Sequence, residues 1–465
     1  MQKKENIIII GAGLSGALLA LRLAQRGYQV TVYESRPDLR TTDISAGRSI
    51  NLALSDRGLK AMKMVGIQDK VTPLCIPMYG RLIHDIKGNT FTSNYSGRKE
   101  EYINSISRGG LNSLLLTEVE KYENVVIHFN KKCISVDIEN TTAKFKCYDT
   151  KEEFKIAADV IFGADGAGSA LRKSYYLEKK FLFSYSQNYL THGYKELEIP
   201  ADKIGKHQIS KDHLHIWPRG EYMLIALPNL DGSFTVTLFL SYNEGAYNFN
   251  NLTSIEKVTD FFTTQFPDAL KLIPDINHEF FNNPTGALGT IKCSPWSYKG
   301  KTILIGDAAH AIVPFYGQGM NASFEDVVVF DKILDQHQGD WEATFKAYEK
   351  VRKEDTDAIA DLAIDNYYEM RDHVANPLFK KKRKLEMDLE SAFPSTYFSK
   401  YSMVTFNEDI GYAKAMKIGR AQDKALLNLI VDSEIDTDKD IKRIHNQVQE
   451  ETNEILEEDK IAGLR

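Results

Sequence analysis

Three glycine-rich turns carry most of the chemistry that this sequence suggests. The first, Gly11-Ala-Gly13-Leu-Ser-Gly16, lies between the apolar run Ile7–Ile10 and a helix-like stretch from Ser15 to Arg26, and Glu34 closes the strand-like run that follows. Glycines at this spacing permit a tight turn, close backbone approach to a pyrophosphate and close packing of helix on strand, while the helix N-terminus favours the negative charge. Glu34 is placed to accept from ribose hydroxyls. Its charge repels a 2′-phosphate, so the expected dinucleotide is FAD or NAD and not NADP. Such a turn alone is weak evidence, but strand, helix and acidic residue all stand in their places here.

The second turn, Gly163-Ala-Asp165-Gly166-Ala-Gly-Ser169-Ala-Leu-Arg172, follows another buried run. Asp165 and Arg172 are spaced to hold a loop over a dinucleotide, although the segment alone also reads as an ordinary strand, turn and helix. The third is Gly306-Asp307-Ala-Ala-His310, then Pro314-Phe315-Tyr316, then Gly317-Gln-Gly319-Met320-Asn321 opening a helix. Asp307 can accept from a ribityl hydroxyl, and the helix start offers N–H groups and a positive dipole to a flavin edge that becomes anionic on reduction. Together the three turns favour non-covalent FAD. His310 reads as a packed structural histidine, and His213 and His215 as sheet residues without a third ligand, so no metal site is expected.

These turns need elements to position them. The 465 residues suit two joined domains and a tail. Parallel-core runs at Ile7–Ile10, Ile161–Gly163 and Lys301–Ile305 bracket a stretch from about 180 to 290 where alternation dominates, as in Thr235-Val-Thr-Leu-Phe-Leu240. The expected fold is therefore α/β: a discontinuous Rossmann-like FAD-binding domain (1–180 and 290–330), with an inserted antiparallel β-sheet substrate domain (181–289, also receiving part of 70–110). A helical C-terminal region (331–430) closes the active site, and a charged tail (431–465) follows. The 58 basic and 64 acidic residues give a net charge of −6, which argues against nucleic-acid binding. The four cysteines are far apart with no C-x-x-C pair, as in a reducing compartment. The basic run Lys380-Lys-Lys-Arg-Lys384 reads as a solvated helix face. No apolar stretch approaches the ~20 residues of a membrane span, so a soluble, cytoplasmic protein without a membrane partner is expected.

In this order and these contexts the turns resemble those of the class A flavoprotein monooxygenases, which share the para-hydroxybenzoate hydroxylase fold. The segments Ala46–Ser55, Ile76–Arg81, Val313–Asn321, Asn366–Arg371 and Tyr401–Phe406 resemble the kynurenine 3-monooxygenase family in particular. The resemblance implies NADPH reduction of FAD, a flavin C4a-hydroperoxide formed with O2, and hydroxylation of L-kynurenine to 3-hydroxykynurenine. NADPH visits transiently, in keeping with the lack of a second such glycine motif. The resemblance also implies that Arg36, Arg48 and Arg108 contact FAD with Gly11, Gly13, Gly16, Glu34, Asp165, Asp307, Gly319, Met320 and Asn321. It places Pro314, Phe315 and Tyr316 beside the flavin, with no residue named as catalytic, and Arg81, Tyr102, Asn366 and Tyr401 on the substrate. The substrate's amine already activates its ring, so the protein needs a carboxylate anchor more than a base, and an arginine can pair with a carboxylate through two parallel hydrogen bonds. Eukaryotic members carry a hydrophobic C-terminal anchor. This chain shows charged sequence there, from which a soluble bacterial enzyme is expected.

Two other readings share the FAD turns. A flavin-dependent reductase or epoxidase of isoprenoid lipids needs an apolar tunnel in place of Arg81 and its polar partners. A flavin-binding redox sensor or interaction protein needs no coupling of flavin reduction to an aromatic ligand.

Overall fold

A computed structural model describes residues 5–41, 51–370, 377–432 and 440–463. The chain divides into two units, each assembled from three stretches: residues 1–75, 106–190 and 288–360, and residues 76–105, 191–287 and 361–465.

The first unit is built around a parallel sheet whose central strand is buried on both faces. Asn6–Ile10 carries four consecutive isoleucines, of which Ile7, Ile8 and Ile9 are fully buried, as a central parallel strand covered on both sides requires. It pairs in parallel with Gln29–Tyr33 (Ile7 opposite Val30) and Val160–Gly163 (Ile7 opposite Val160). The six-stranded sheet runs Ser297–Tyr298, Thr302–Leu304, Val160–Gly163, Asn6–Ile10, Gln29–Tyr33, Val125–His128. Helix Leu14–Gln25 buries Ala17, Leu18, Leu19, Ala20 and Leu21, and helices Arg108–Val119 and Gly319–Gln336 pack against it. A small antiparallel sheet of Lys131–Asp137, Thr142–Cys147 and Glu153–Ala157 belongs to the same unit.

The second unit contains most of a seven-stranded sheet, ordered Thr285–Ser294, Ser184–Ile199, Phe234–Ser241, Met223–Pro228, His213–Pro218, Gly80–His84, Thr90–Asn94. Phe261, Phe262 and Phe266 pack with Trp217, Leu224 and Leu238 in the core of this unit. The antiparallel expectation holds for Ser184–Ile199 with Phe234–Ser241, for Phe234–Ser241 with Met223–Pro228, for Met223–Pro228 with His213–Pro218 and for Gly80–His84 with Thr90–Asn94, whereas Gly80–His84 lies parallel to His213–Pro218, with His213 opposite Gly80. A hairpin forces antiparallel pairing, but these strands are joined by a long excursion of chain, which leaves their direction open.

The C-terminal helices Pro377–Ala392, Tyr412–Asp432 and Ile441–Gly463 share a core that includes Leu385, Leu389, Tyr397, Leu426, Ile444 and Val448, and helix Lys400–Thr405 packs against Tyr412–Asp432. The basic run is a solvated face only in part: Lys380, Lys381 and Lys384 are exposed, whereas Lys382 is buried and ion-paired with Asp423 and Glu386, and Arg383 pairs with Glu386 at 3.0 Å. The helix brings that side of the run against acidic neighbours, which compensate the buried charges. No helix among the described residues is long and apolar enough to cross a membrane.

Candidate functional site

The first glycine turn is explained by what surrounds it. Gly11 has φ +102°, and a Cβ there would meet the Ala164 carbonyl oxygen at 2.5 Å; a Cβ at Gly16 would lie 2.0 Å from the Gly11 carbonyl oxygen. Both are needed by the protein itself, to turn the chain and to seat helix Leu14–Gln25 on the sheet. Gly13 differs: its φ is −67°, and a Cβ there would meet nothing within 4 Å. The protein makes no steric demand for glycine at 13, so that position is open to a ligand.

Glu34 closes the cradle. Its Oε2 accepts from the Ala12 N–H at 2.8 Å and its Oε1 from the backbone N–H and Nε of Arg36, both at 2.9 Å. Burial opposes ionisation, but the Arg36 guanidinium and these backbone donors outweigh it and hold the carboxyl below its ordinary range. The helix behind Gly13 has no side-chain cap and no acidic residue in its first turn, and the same is true of helix Gly319–Gln336. By contrast, Ser107 and Ser169 cap helices Arg108–Val119 and Ala170–Leu177. Uncapped helix starts leave N–H groups and positive dipole for an anion.

The other two turns are tied together by Arg172. Its guanidinium donates to the carbonyls of Ala308, at 2.7 Å, and Ala167. Asp165 Oδ2 accepts from the Ala170 N–H at 2.6 Å, whereas its buried Oδ1 has no partner among the described residues. Surrounding protein pushes the Asp165 carboxyl up. Asp307 is exposed to solvent, yet the protein around it also raises its carboxyl, against the pull of His310 and Arg108.

Beneath the third turn lies a buried ionic set. Asp326 accepts from the Gly306 N–H at 3.0 Å, from His310 Nε2–H at 2.6 Å and from Arg352 Nε–H at 2.9 Å. Arg352 and Arg57 both pair with Glu325, at 2.7 and 2.5 Å. His310 is thus a structural donor. Asn321 is equally committed: its amide donates to the Ala53 and Gly317 carbonyls and accepts from the Ser55 N–H, joining strand Asn51–Leu54 to the helix start. Phe315, Tyr316 and Met320 are buried, while Pro314 is exposed. Arg36 is half-exposed and Arg108 exposed; Arg48 lies outside the described residues.

These features fit a dinucleotide with a flavin. Gly13 leaves room for a pyrophosphate, the uncapped helix starts offer donors, and the Asp165 oxygen without a partner among the described residues and exposed Asp307 offer acceptors for hydroxyls.

In the second unit Arg81 stands on strand Gly80–His84 with its guanidinium carbon 5.1 Å from the Tyr401 ring centre and 5.8 Å from that of Tyr95. The two rings stack on each other at 5.3 Å with planes 9° apart. Arg81 Nε is buried without a hydrogen-bond partner among the described residues. Tyr102 is not brought into this group by its ring contact: it is exposed and lies against Tyr79 at 5.3 Å. Asn366 is buried, with its amide 3.3 Å from Met370 Sδ. Tyr95 was missed in the sequence because nothing beside Asn94-Tyr95-Ser96 marks it; only the stacking with Tyr401, far along the chain, reveals it.

The histidine strand was also incompletely legible. His84 Nδ1–H donates to Asp268 Oδ2 at 3.0 Å, its Nε2 lies 2.9 Å from His215 Nδ1, and Trp217 Nε1–H donates to the same Asp268 oxygen at 2.8 Å. Burial lowers His215 to about 4. Among the described residues no group of His, Cys, Asp and Glu could hold a metal ion.

The FAD binding domain family matches residues 4–209 and 258–363. A Myxococcus xanthus protein named kynurenine 3-monooxygenase is 43% identical over 98% of this chain and 97% of its own length. One of the same name from Legionella pneumophila (strain Corby) is 45% identical over 90% of this chain and 92% of its own. Among solved structures, a 2-methyl-3-hydroxypyridine-5-carboxylic acid oxygenase superposes with a TM-score of 0.64 at 19% identity, covering 85% of this chain and 99% of that one. At that identity the likeness speaks for the fold alone.

Proposed function

Because the chain belongs to the kynurenine 3-monooxygenase family, within the FAD-binding-domain proteins, we propose that it grips L-kynurenine by its carboxylate at Arg81, between Tyr95 and Tyr401. The enzyme is an FAD-dependent monooxygenase that hydroxylates kynurenine to 3-hydroxykynurenine with NADPH and O2. Gly11, Gly13, Gly16, Glu34, Arg36, Arg108, Asp165, Asp307, Gly319 and Met320 form or border the cradle proposed for FAD. Arg48 belongs with them by family resemblance. Bound FAD supplies the oxygen activation and accepts electrons from NADPH.

One observation supports the substrate reading: the buried Nε of Arg81 has no hydrogen-bond partner among the described residues, beside two parallel aromatic rings. A carboxylate satisfies that donor, and the rings stabilise the cation from the side. Tyr401 and Tyr95 offer hydroxyls close by; burial raises both phenols, so they remain protonated donors at neutral pH. An apolar lipid substrate gives no use to this group. Asn366 and Tyr102 are kept as proposed contacts from the family resemblance alone. Pro314, Phe315 and Tyr316 are likewise proposed beside the flavin.

The test is NADPH oxidation with and without L-kynurenine, in wild type and Arg81→Ala. Wild type should be stimulated by kynurenine; Arg81→Ala should keep its FAD and lose about 2–5 kcal/mol of kynurenine affinity, the cost of burying a carboxylate without its partner. Arg81→Lys should recover only part, because an ammonium cannot form two parallel hydrogen bonds. Wild-type affinity in Arg81→Ala refutes the assignment.

A further inference from the structure

We propose that Glu390 and Arg383, on helix Pro377–Ala392, are positioning residues that hold Tyr95 and Tyr401 in register beside Arg81. The proposal deepens the substrate reading above and rests on it.

Glu390 is fully buried, and its two oxygens go to different stretches of chain: Oε2 accepts from the Gly97 N–H at 3.0 Å and Oε1 from the Ser399 N–H at 2.8 Å. Gly97 lies two residues after Tyr95, and Ser399 two residues before Tyr401. One carboxylate therefore ties together the backbones that present both rings. Arg98 Nη1 stands 3.4 Å from Glu390, and its other nitrogens donate to the Pro394 and Tyr397 carbonyls. Burial opposes ionisation of Glu390, but its hydrogen bonds and Arg383 keep the carboxyl below its ordinary range.

Arg383 holds the other side of Tyr95. Its Nη2 donates to the Asn94 and Tyr95 carbonyls at 2.9 and 2.7 Å, while Nη1 pairs with Glu386. The approach of the two segments is tight: a Cβ at Gly97 would meet the Met387 carbonyl oxygen at 2.5 Å. Ser399 caps helix Lys400–Thr405 by accepting from the Ser402 N–H, and Lys400 pairs with Asp423 at 2.5 Å. The short helix bearing Tyr401 is thus fixed at its first turn from two directions. Parallel rings at 5.3 Å are sensitive to small displacements, so loosening either backbone disturbs the seat of the Arg81 guanidinium.

The experiment is a double-mutant cycle on the FAD-loaded, full-length protein, read as kynurenine Kd by titration and as the split between KM and kcat. Glu390→Gln preserves shape but turns an NH2 toward one of the two backbone donors. It should raise the kynurenine Kd about tenfold with kcat and FAD content near wild type. The same change in an Arg81→Ala background should add little, because the effect acts through Arg81. A decarboxylated kynurenine analogue should bind wild type and Glu390→Gln alike. Arg383→Lys, which keeps the charge beside Glu386 but cannot span both carbonyls, should show the same pattern. Unchanged Kd in both variants overturns the proposal, as does an equal loss in the Arg81→Ala background. Failure of both variants to accumulate as folded holoenzyme also overturns it, since the residues would then be determinants of the fold. Wild-type affinity in Arg81→Ala alone refutes the substrate reading instead.

Discussion

Asp326→Asn should loosen the turn that carries Asp307 while leaving the shape of the side chain almost unchanged. In the native chain one carboxylate accepts from the Gly306 N–H, His310 Nε2–H and Arg352 Nε–H, and it is fully buried. An asparagine keeps one acceptor oxygen and presents an NH2 group where an acceptor was, so at least one buried donor loses its partner. Arg352 keeps Glu325 at 2.7 Å, which limits the damage on that side. Removing one partner from a buried ionic set costs about 3–5 kcal/mol. At roughly 2–4 °C per kcal/mol for a unit of this size, Tm should fall by roughly 6–20 °C. FAD affinity should fall with it, by at least about tenfold, because the relaxed turn carries Asp307 and the backbone beside it. Asp335→Asn serves as control: this carboxylate pairs with Arg26 but is 65% exposed, and its loss should cost no more than about 1 kcal/mol. Thermal unfolding and FAD content after desalting read both effects. The pH dependence gives a second check. Burial raises the Asp326 carboxyl, but His310 and Arg352 outweigh it and hold the folded pKa below the ordinary carboxylate value. The stabilisation is therefore present above pH ~4 and lost as pH falls through the lower folded value, so the Tm gap between wild type and variant should narrow in acid. A variant that keeps its FAD and melts within about 2 °C of wild type would show that this network does not support the turn.

Further outcomes follow from the same geometry. Gly13→Val should abolish FAD retention while the apo-protein stays folded, since a Cβ at 13 would meet no protein atom within 4 Å; full FAD retention on desalting counts against the cradle. Gly16→Val should instead destabilise the fold itself, because its Cβ would lie 2.0 Å from the Gly11 carbonyl oxygen, and a melting curve like wild type would contradict that packing. Acidification should also weaken the Asp268 cluster: burial raises its carboxyl, but His84 and Trp217 bring it down to about 2, so its contribution is present above pH ~4 and is lost as pH falls toward 2. Unfolding free energies across that window, compared with Asp268→Asn, should show a steeper acid loss in the wild type.

The glycine turns proposed to cradle the cofactor are legible in the chain because their requirements are largely local. The turn at Gly11, the packing of Gly16 and the opening at Gly13 depend on backbone geometry within a few residues, and the strand and helix on either side announce themselves by periodicity. The family resemblance added Arg81 and Tyr401, whose segments are recognisable one at a time. What stood beside them was decided by tertiary structure. Tyr95 joins the group only because the chain returns some 300 residues later to lay Tyr401 on its ring, whereas Tyr102, equally aromatic and closer to the motif expected, turns out against Tyr79. Arg172 finds the carbonyl of Ala308, far along the chain, and Arg383, within a run that reads as a solvated basic face, donates to the carbonyls of Asn94 and Tyr95. Composition and periodicity fix which face of a helix is apolar, but long polar side chains take whatever partner the packing of distant segments brings within 3 Å, and that partner is written nowhere in their own neighbourhood.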